Sequence, residues 1–134
     1  MKASEAFVHD VIDIKICADR LIEGLGDGRR MFTVEDQLLY IIVKEGPIAP
    51  RSIVRKLNIV KTNLASLANT MIRDGMIEKR HLPENKKEIE YIATEKGKKI
   101  LQDGINGIAS RFVNVDKETA QKIATVSKVL KKLG

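Results

Sequence analysis

The stretch from Ile48 to Gly97 limits what this chain can fold into more than any other. Its apolar spacing reads as a short helix over residues 50–57, a turn at Asn58, Ile59 and Val60, and a second helix from Lys61 to about Asp74 that stops at Gly75. Two short strands follow, at 76–81 and 88–93, around the polar tip Leu82-Pro83-Glu84-Asn85-Lys86-Lys87. A helix-turn-helix closed by a β-hairpin predicts a winged helix, an architecture whose second helix commonly enters the DNA major groove. The fold class expected is therefore mainly α with a small β-hairpin, a winged helix-turn-helix carried between N- and C-terminal dimerisation helices.

The second helix of this motif carries most of the functional inference. Leu64, Leu67, Ala68, Met71 and Ile72 recur at helical spacing and form a stripe to be buried. The opposite face shows Lys61, Thr62, Asn63, Ser66, Asn69, Thr70 and Arg73, with no acid before Asp74. Asn can pair bidentately with adenine, and Ser and Thr can reach bases or phosphates. Ala65 leaves room beside them for a thymine methyl. An ordinary solvated helix face would favour Glu and Lys over Asn, Ser and Thr, which are middling helix formers.

Charge supports the same placement. The chain carries a net +6, but residues 1–45 hold six basic and nine acidic side chains. Residues 46–73 hold Arg51, Arg55, Lys56, Lys61 and Arg73 with no acid, and residues 74–134 hold thirteen basic and nine acidic groups. The acid-free window coincides with the helix-turn-helix, where a polyanion would be attracted and release counterions. Arg51 and Ser52 on the first helix, and Lys86 and Lys87 at the hairpin tip, extend the candidate DNA surface.

The flanking segments read as helices with surplus apolar faces. Residues 4–25 place Phe7, Val11, Ile14, Ala18, Leu21 and Leu25 on a heptad seam, with Ser4 as N-cap. Val8, Ile12 and Ile22 widen that stripe enough for two partners, its own domain and a second subunit. Gly24, Gly26 and Gly28 then break the helix into a loop. Thr33 and Asp36 form an approximate capping box for a helix of core residues Leu38, Leu39, Ile41, Ile42 and Val43. Gly46-Pro47 ends it. In the next helix Ile53, Val54 and Leu57 face inward, and Arg51, Ser52, Arg55 and Lys56 outward. Thr94 caps a helix whose stripe is Leu101, Ile105, Ile108 and Phe112. Asp116 caps a last helix through Leu133, with Ile123, Val126, Leu130 and Leu133 as a second seam.

Other chemistries find little support. The single cysteine, Cys17, beside the seam, is read as a packed, inert thiol and cannot form an internal disulfide. His9 and His81 stand far apart, and no metal-ligand spacing or nucleophile-base arrangement emerges. We expect no enzyme, no metal and no cofactor. No apolar run reaches the roughly 20 residues a bilayer span requires. The acidic start is unlike a signal peptide, so a cytoplasmic protein with no membrane partner is expected. Two functional classes remain: a DNA-binding regulator, and a winged-helix module that binds protein. Aromatic content of only 4% disfavours the second, because protein interfaces draw on Trp and Tyr.

At these residues the chain resembles the MarR family of winged-helix transcription regulators. Residues 33–45 and Gly46-Pro47-Ile48 are similar to the helix before the family's motif and its link. Lys61-Thr62-Asn63-Leu64 stands at the start of its recognition helix, and Asp74-Gly75-Met76-Ile77-Glu78-Lys79-Arg80 at its strand entry. Pro83-Glu84-Asn85-Lys86-Lys87 falls on the wing tip, where the family often has Asp-x-Arg. Ala93-Thr94-Glu95-Lys96-Gly97 falls on its Leu-Thr-x-x-Gly signature, with Ala in place of Leu. The resemblance implies one domain over 1–134, with a DNA-binding lobe at 33–97 and a dimerisation lobe at 1–28 and 98–134. It implies a homodimer on a pseudo-palindromic double-stranded site, usually a repressor, released by a small-molecule inducer. Phe7, Val11, Ile14, Leu21, Phe112, Ile123, Val126 and Leu130 are the candidate dimer residues. The DNA-binding candidates are Arg51, Ser52, Lys61, Thr62, Asn63, Ala65, Ser66, Asn69, Thr70, Lys86 and Lys87.

Overall fold

The computed structural model describes residues 1–22 and 32–134. The order is α1 (Ala3–Ile22), α2 (Val34–Glu45), α3 (Pro50–Leu57), α4 (Lys61–Arg73), β1 (Ile77–His81), β2 (Ile89–Ala93), α5 (Glu95–Ala109), a 3₁₀ turn (Ser110–Phe112) and α6 (Lys117–Leu133). This is the expected mainly helical fold with one small antiparallel hairpin. The described residues divide into two compact units, Met1–Gln37 and Leu38–Gly134.

In the first unit α1 buries none of its side chains. Ser4 lies inside the helix and is not its cap, because the amides of Glu5 and Ala6 both bond to the Lys2 carbonyl and set the helix start earlier. Phe7, Ile14 and Leu21 are exposed and Val11 is half-buried, so the expected seam is present as a helix face without a core behind it. Cys17 is exposed, against the packed position expected, with Arg20 Nη2 3.8 Å from its sulfur. Leu25 and the loop at Gly24, Gly26 and Gly28 lie outside the described residues. Thr33 and Asp36 form the reciprocal cap expected. The Thr33 amide donates to Asp36 Oδ2 at 2.9 Å, and the Asp36 amide donates to Thr33 Oγ1 at 3.3 Å.

The core of the second unit gathers residues from α2, α3, α4, the hairpin and α5. Leu38, Leu39 and Ile42 of α2, Ile53 of α3, Leu64, Ala68 and Met71 of α4, Ile77, Tyr91 and Leu101 are all buried, as is Ile48 in the link. Ile41 and Val43 are only half-buried, since the twelve-residue α2 turns one face inward and not its whole girth. Ser52 is half-buried, not outward as expected, because α3 rests on both α4 and β2. Asn58 closes α3 with φ of 53°, a left-handed conformation that Asn tolerates better than most residues.

The hairpin pairs Ile77 with Ala93 and His81 with Ile89. A third segment joins it. Ile48 and Tyr91 exchange both backbone hydrogen bonds, at 3.0 and 2.9 Å, so the α2–α3 link is stitched to the middle of β2. Thr94 caps α5 as expected, accepting from the Gly97 amide at 3.0 Å. The regular α5 ends at Ala109, short of Phe112, where the chain tightens into the 3₁₀ turn. Asp116 caps α6 by accepting from the Thr119 amide at 2.8 Å, and bonding to Thr119 holds its carboxyl below the usual carboxylate range.

Two outcomes check this packing. Leu64 is 1% exposed, so Leu64→Ala should cost about 2–5 kcal/mol in chemical denaturation, as large-to-small changes at filled sites do. Burial raises the pKa of the Tyr91 phenol, because the low-dielectric surroundings disfavour phenolate. Its contribution is then complete below the unfolded value, about 10, and is lost as pH climbs from there towards the raised folded value. Denaturation midpoints measured across alkaline pH should fall more steeply for the native chain than for Tyr91→Phe.

Candidate nucleic-acid interface

The candidate surface is built on α4 and its two neighbours. Burial of Leu64, Ala68 and Met71 fixes the roll of α4 and turns Lys61, Thr62, Asn63, Ala65, Ser66 and Asn69 outward, all exposed as expected. Thr70 departs from that expectation. It is half-buried, and its hydroxyl donates to the Ser66 carbonyl at 3.2 Å, which ties it to its own helix. Arg51 is exposed at the start of α3. Lys86 and Lys87 are exposed at the hairpin tip.

The starts of α3 and α4 differ from those of α2, α5 and α6. α2, α5 and α6 each have a side-chain cap and an acid in the first turn. The starts of α3 and α4, at Ala49 and Val60, have neither. An uncapped helix start forgoes about 1 kcal/mol, and leaves amide donors and a positive helix-dipole end open to an anion. In α4 those donors belong to the turn that carries Lys61, Thr62 and Asn63.

Ion pairing narrows the basic window. Lys56 is 3.1 Å from Glu45, and Arg73 Nε is 3.5 Å from Asp74. Both acids lie just outside the acid-free stretch in sequence. Both pairs are largely exposed and count for little in stability, about 0–1 kcal/mol each. Arg51, Arg55 and Lys61 have no ion pair among the described residues.

The hairpin tip is internally braced. Asn85 Oδ1 accepts from the Lys87 amide at 3.1 Å, and the Asn85 carbonyl accepts from the Glu88 amide at 3.0 Å. His81 Nδ1 lies 2.8 Å from the Lys86 carbonyl, so that nitrogen carries the proton and donates. These bonds leave the ammonium groups of Lys86 and Lys87 unengaged.

Sequence reasoning missed the concavity between these parts. A groove of about 600 Å³ is lined by Pro50, Arg51 and Val54 of α3, Lys61 of α4, and Leu82, Lys87 and Ile89 of the hairpin, with Glu88 and Glu90 on its strand side. It brings three of the candidate cations, Arg51, Lys61 and Lys87, around one surface. Nothing in the local pattern announces it, because it exists only once the Ile48–Tyr91 pairing folds the hairpin back beside α3. Among the described residues no group of three or more His, Cys, Asp or Glu side chains could hold a metal ion, and no helix is long and apolar enough to cross a membrane.

The eight dimer candidates differ in exposure. Phe7, Ile14, Leu21, Ile123 and Val126 are exposed, whereas Val11, Phe112 and Leu130 are half-buried. Phe112 lies in the 3₁₀ turn, with the Arg111 guanidinium 5.4 Å from its ring centroid.

Helix, turn, exposed second helix and braced hairpin define a winged helix-turn-helix protein. Residues 35–89 match the model of the MarR family. The chain is 24% identical over 104 residues to the HTH-type transcriptional repressor YetL of Bacillus subtilis, covering 76% of this chain and 62% of YetL. It is 35% identical over 55 residues to the HTH-type transcriptional regulator PchR of the same organism, covering 41% of this chain and 32% of PchR. The matches thus span under two thirds of either relative's length. The crystal structure of the transcriptional regulator BldR from Sulfolobus solfataricus superposes with a TM-score of 0.69 over 98% of this chain and 99% of BldR, at 10% identity, a likeness of fold alone.

Proposed function

We propose that the chain is a homodimeric, sequence-specific regulator of transcription that binds double-stranded DNA, acts as a repressor, and is released by a small ligand. The observation that carries this reading is the exposed face of α4. It is polar, free of acid and open at its N-terminus, and Arg51 and the tip lysines flank it. In this reading Asn63, Ser66 and Asn69 face base edges, and Ala65 meets a thymine methyl. Lys61, Thr62, Ser52 and Arg51 hold phosphate, and Lys86 and Lys87 reach the flanking backbone or minor groove. Thr70 contributes only its acceptor lone pairs, since its proton is already given to Ser66.

The dimer part of the reading is supported by apolar side chains left in water on α1 and α6. Phe7 is 49% exposed and Ile123 63% exposed, and a second copy would remove such surface from solvent. Residues 33–97 then form the reading lobe, with 1–28 and 98–134 the dimer lobe. Two reading helices must meet major-groove segments about one turn apart, so a ligand that shifts their spacing slightly ends the match. The repressor sign follows the name borne by YetL. Such a protein works in the cytoplasm and is not an enzyme.

Selection from random duplexes, followed by affinity against salt on the enriched site, tests this. A two-fold symmetric motif with a steep negative salt slope is expected. Asn63→Ala should relax sequence preference, costing about 1–3 kcal/mol on the preferred site. Lys87→Ala should weaken preferred and random duplexes alike and lower the salt slope by about one. Binding without an enriched motif would refute sequence specificity. No duplex binding even at low salt would favour the alternative, a winged-helix module that binds protein.

A further inference from the structure

The C-terminal end of α4 is held by a different element from the one that buries its middle. Three successive carbonyls follow the helix, on Asp74, Gly75 and Met76, and each receives a donor from Thr94, the cap of α5, or from Lys96 in its first turn. Lys96 Nζ donates to the Asp74 carbonyl at 2.8 Å. Thr94 Oγ1 donates to the Gly75 carbonyl at 2.6 Å, and the Thr94 amide donates to the Met76 carbonyl at 3.0 Å. The same Thr94 oxygen accepts from the Gly97 amide at 3.0 Å, so one hydroxyl ends α4 and begins α5.

The backbone around this junction admits few alternatives. Gly75 has φ of +75°, which a side chain would strain. Gly97 lies so close to the Met76 carbonyl that a Cβ there would collide with it, and Leu39 Cδ1 would stand 3.3 Å away on another side. The two segments therefore approach at a fixed distance, set by backbone and not by adjustable side chains. The Lys96 ammonium also sits at the negative end of the α4 dipole, where a cation is favourable.

We propose that Thr94 and Lys96 are positioning residues for DNA recognition, which clamp the C-terminal end of α4 so that its outer face meets base edges in one register. The proposal rests on the DNA-binding reading above. Neither side chain needs to touch DNA for this. Lys96 spends its charge on the Asp74 carbonyl, and Thr94 is half-buried at the junction. Base readout demands that donors and acceptors arrive within fractions of an ångström, whereas phosphate attraction tolerates looseness. Loosening the clamp should therefore lower preference for the right sequence and leave general affinity intact.

The test compares native protein, Thr94→Val, Thr94→Ser, Lys96→Met and Lys96→Arg on the enriched duplex and on a random duplex, each across a salt series. Amide hydrogen exchange along α4 in the free proteins is measured in parallel. Thr94→Val should lower the ratio of specific to random affinity about tenfold, and Lys96→Met about threefold. Random-duplex affinity and salt slope should stay unchanged, and amides in the last turn of α4 should exchange faster. Thr94→Ser and Lys96→Arg should restore the ratio. A fall in salt slope for Lys96→Met would make it a phosphate contact and overturn its positioning role. An unchanged ratio in both disruptive variants, with native protein still selecting its site, would overturn the clamp alone. A native protein that binds all duplexes equally would overturn the DNA-reading function and the clamp with it.

Discussion

Leu64, Ala68 and Met71 anchor α4 by one side only. That one-sided burial is the constraint on which the rest of the second unit depends. A helix of thirteen residues is marginal by itself in water, so its persistence comes from the stripe it buries. Fully burying a Leu or Met contributes about 1.5–3 kcal/mol. Because that anchoring is complete on the inner face, the outer face need add nothing to stability. It can be filled with Asn, Ser and Thr at little cost to the fold.

Backbone satisfaction then fixes what lies beside the helix. The Ile48–Tyr91 exchange of hydrogen bonds binds the hairpin to the segment leading into α3. It also gives Tyr91 its buried place in the sheet. The tip is held by Asn85 and by His81, so its lysines project from a turn with defined geometry. At the other end of α4 the carbonyls of Asp74, Gly75 and Met76 are taken up by α5. The helix is thereby seated on the core, bordered by the hairpin and tied at its C-terminus, while its N-terminus remains uncapped. Uncapped starts set α3 and α4 apart from α2, α5 and α6, which side chains cap.

Much of this was legible in the sequence, for a physical reason. Thr33 with Asp36, Thr94 with Gly97, and Asp116 with Thr119 are local bonds three residues apart, so residue type and spacing suffice to locate them. The bounds of α3 and α4 follow from Pro50, Asn58 and Gly75 in the same way. The outward face of α4 was readable because period and burial agree. What escaped depends on residues distant in the chain. The Ile48–Tyr91 pairing, the groove that joins Arg51, Lys61 and Lys87, and the bond from Lys96 to Asp74 need the hairpin and α5 already in place. The departures have equally specific causes. Ser4 lost its capping role to an earlier start at Lys2. Thr70 turned its hydroxyl onto Ser66. Cys17 stayed exposed because α1 buries nothing.

In the proposed function the outer face of α4 and the hairpin tip meet duplex DNA. Amide chemical shifts of isotope-labelled protein, followed as a selected duplex is added, test it most directly. The largest changes should fall on the N-terminal two turns of α4, around Thr62, Asn63 and Ser66, and on Lys86 and Lys87. Changes confined to other elements, with these amides unmoved while the duplex binds, would contradict it.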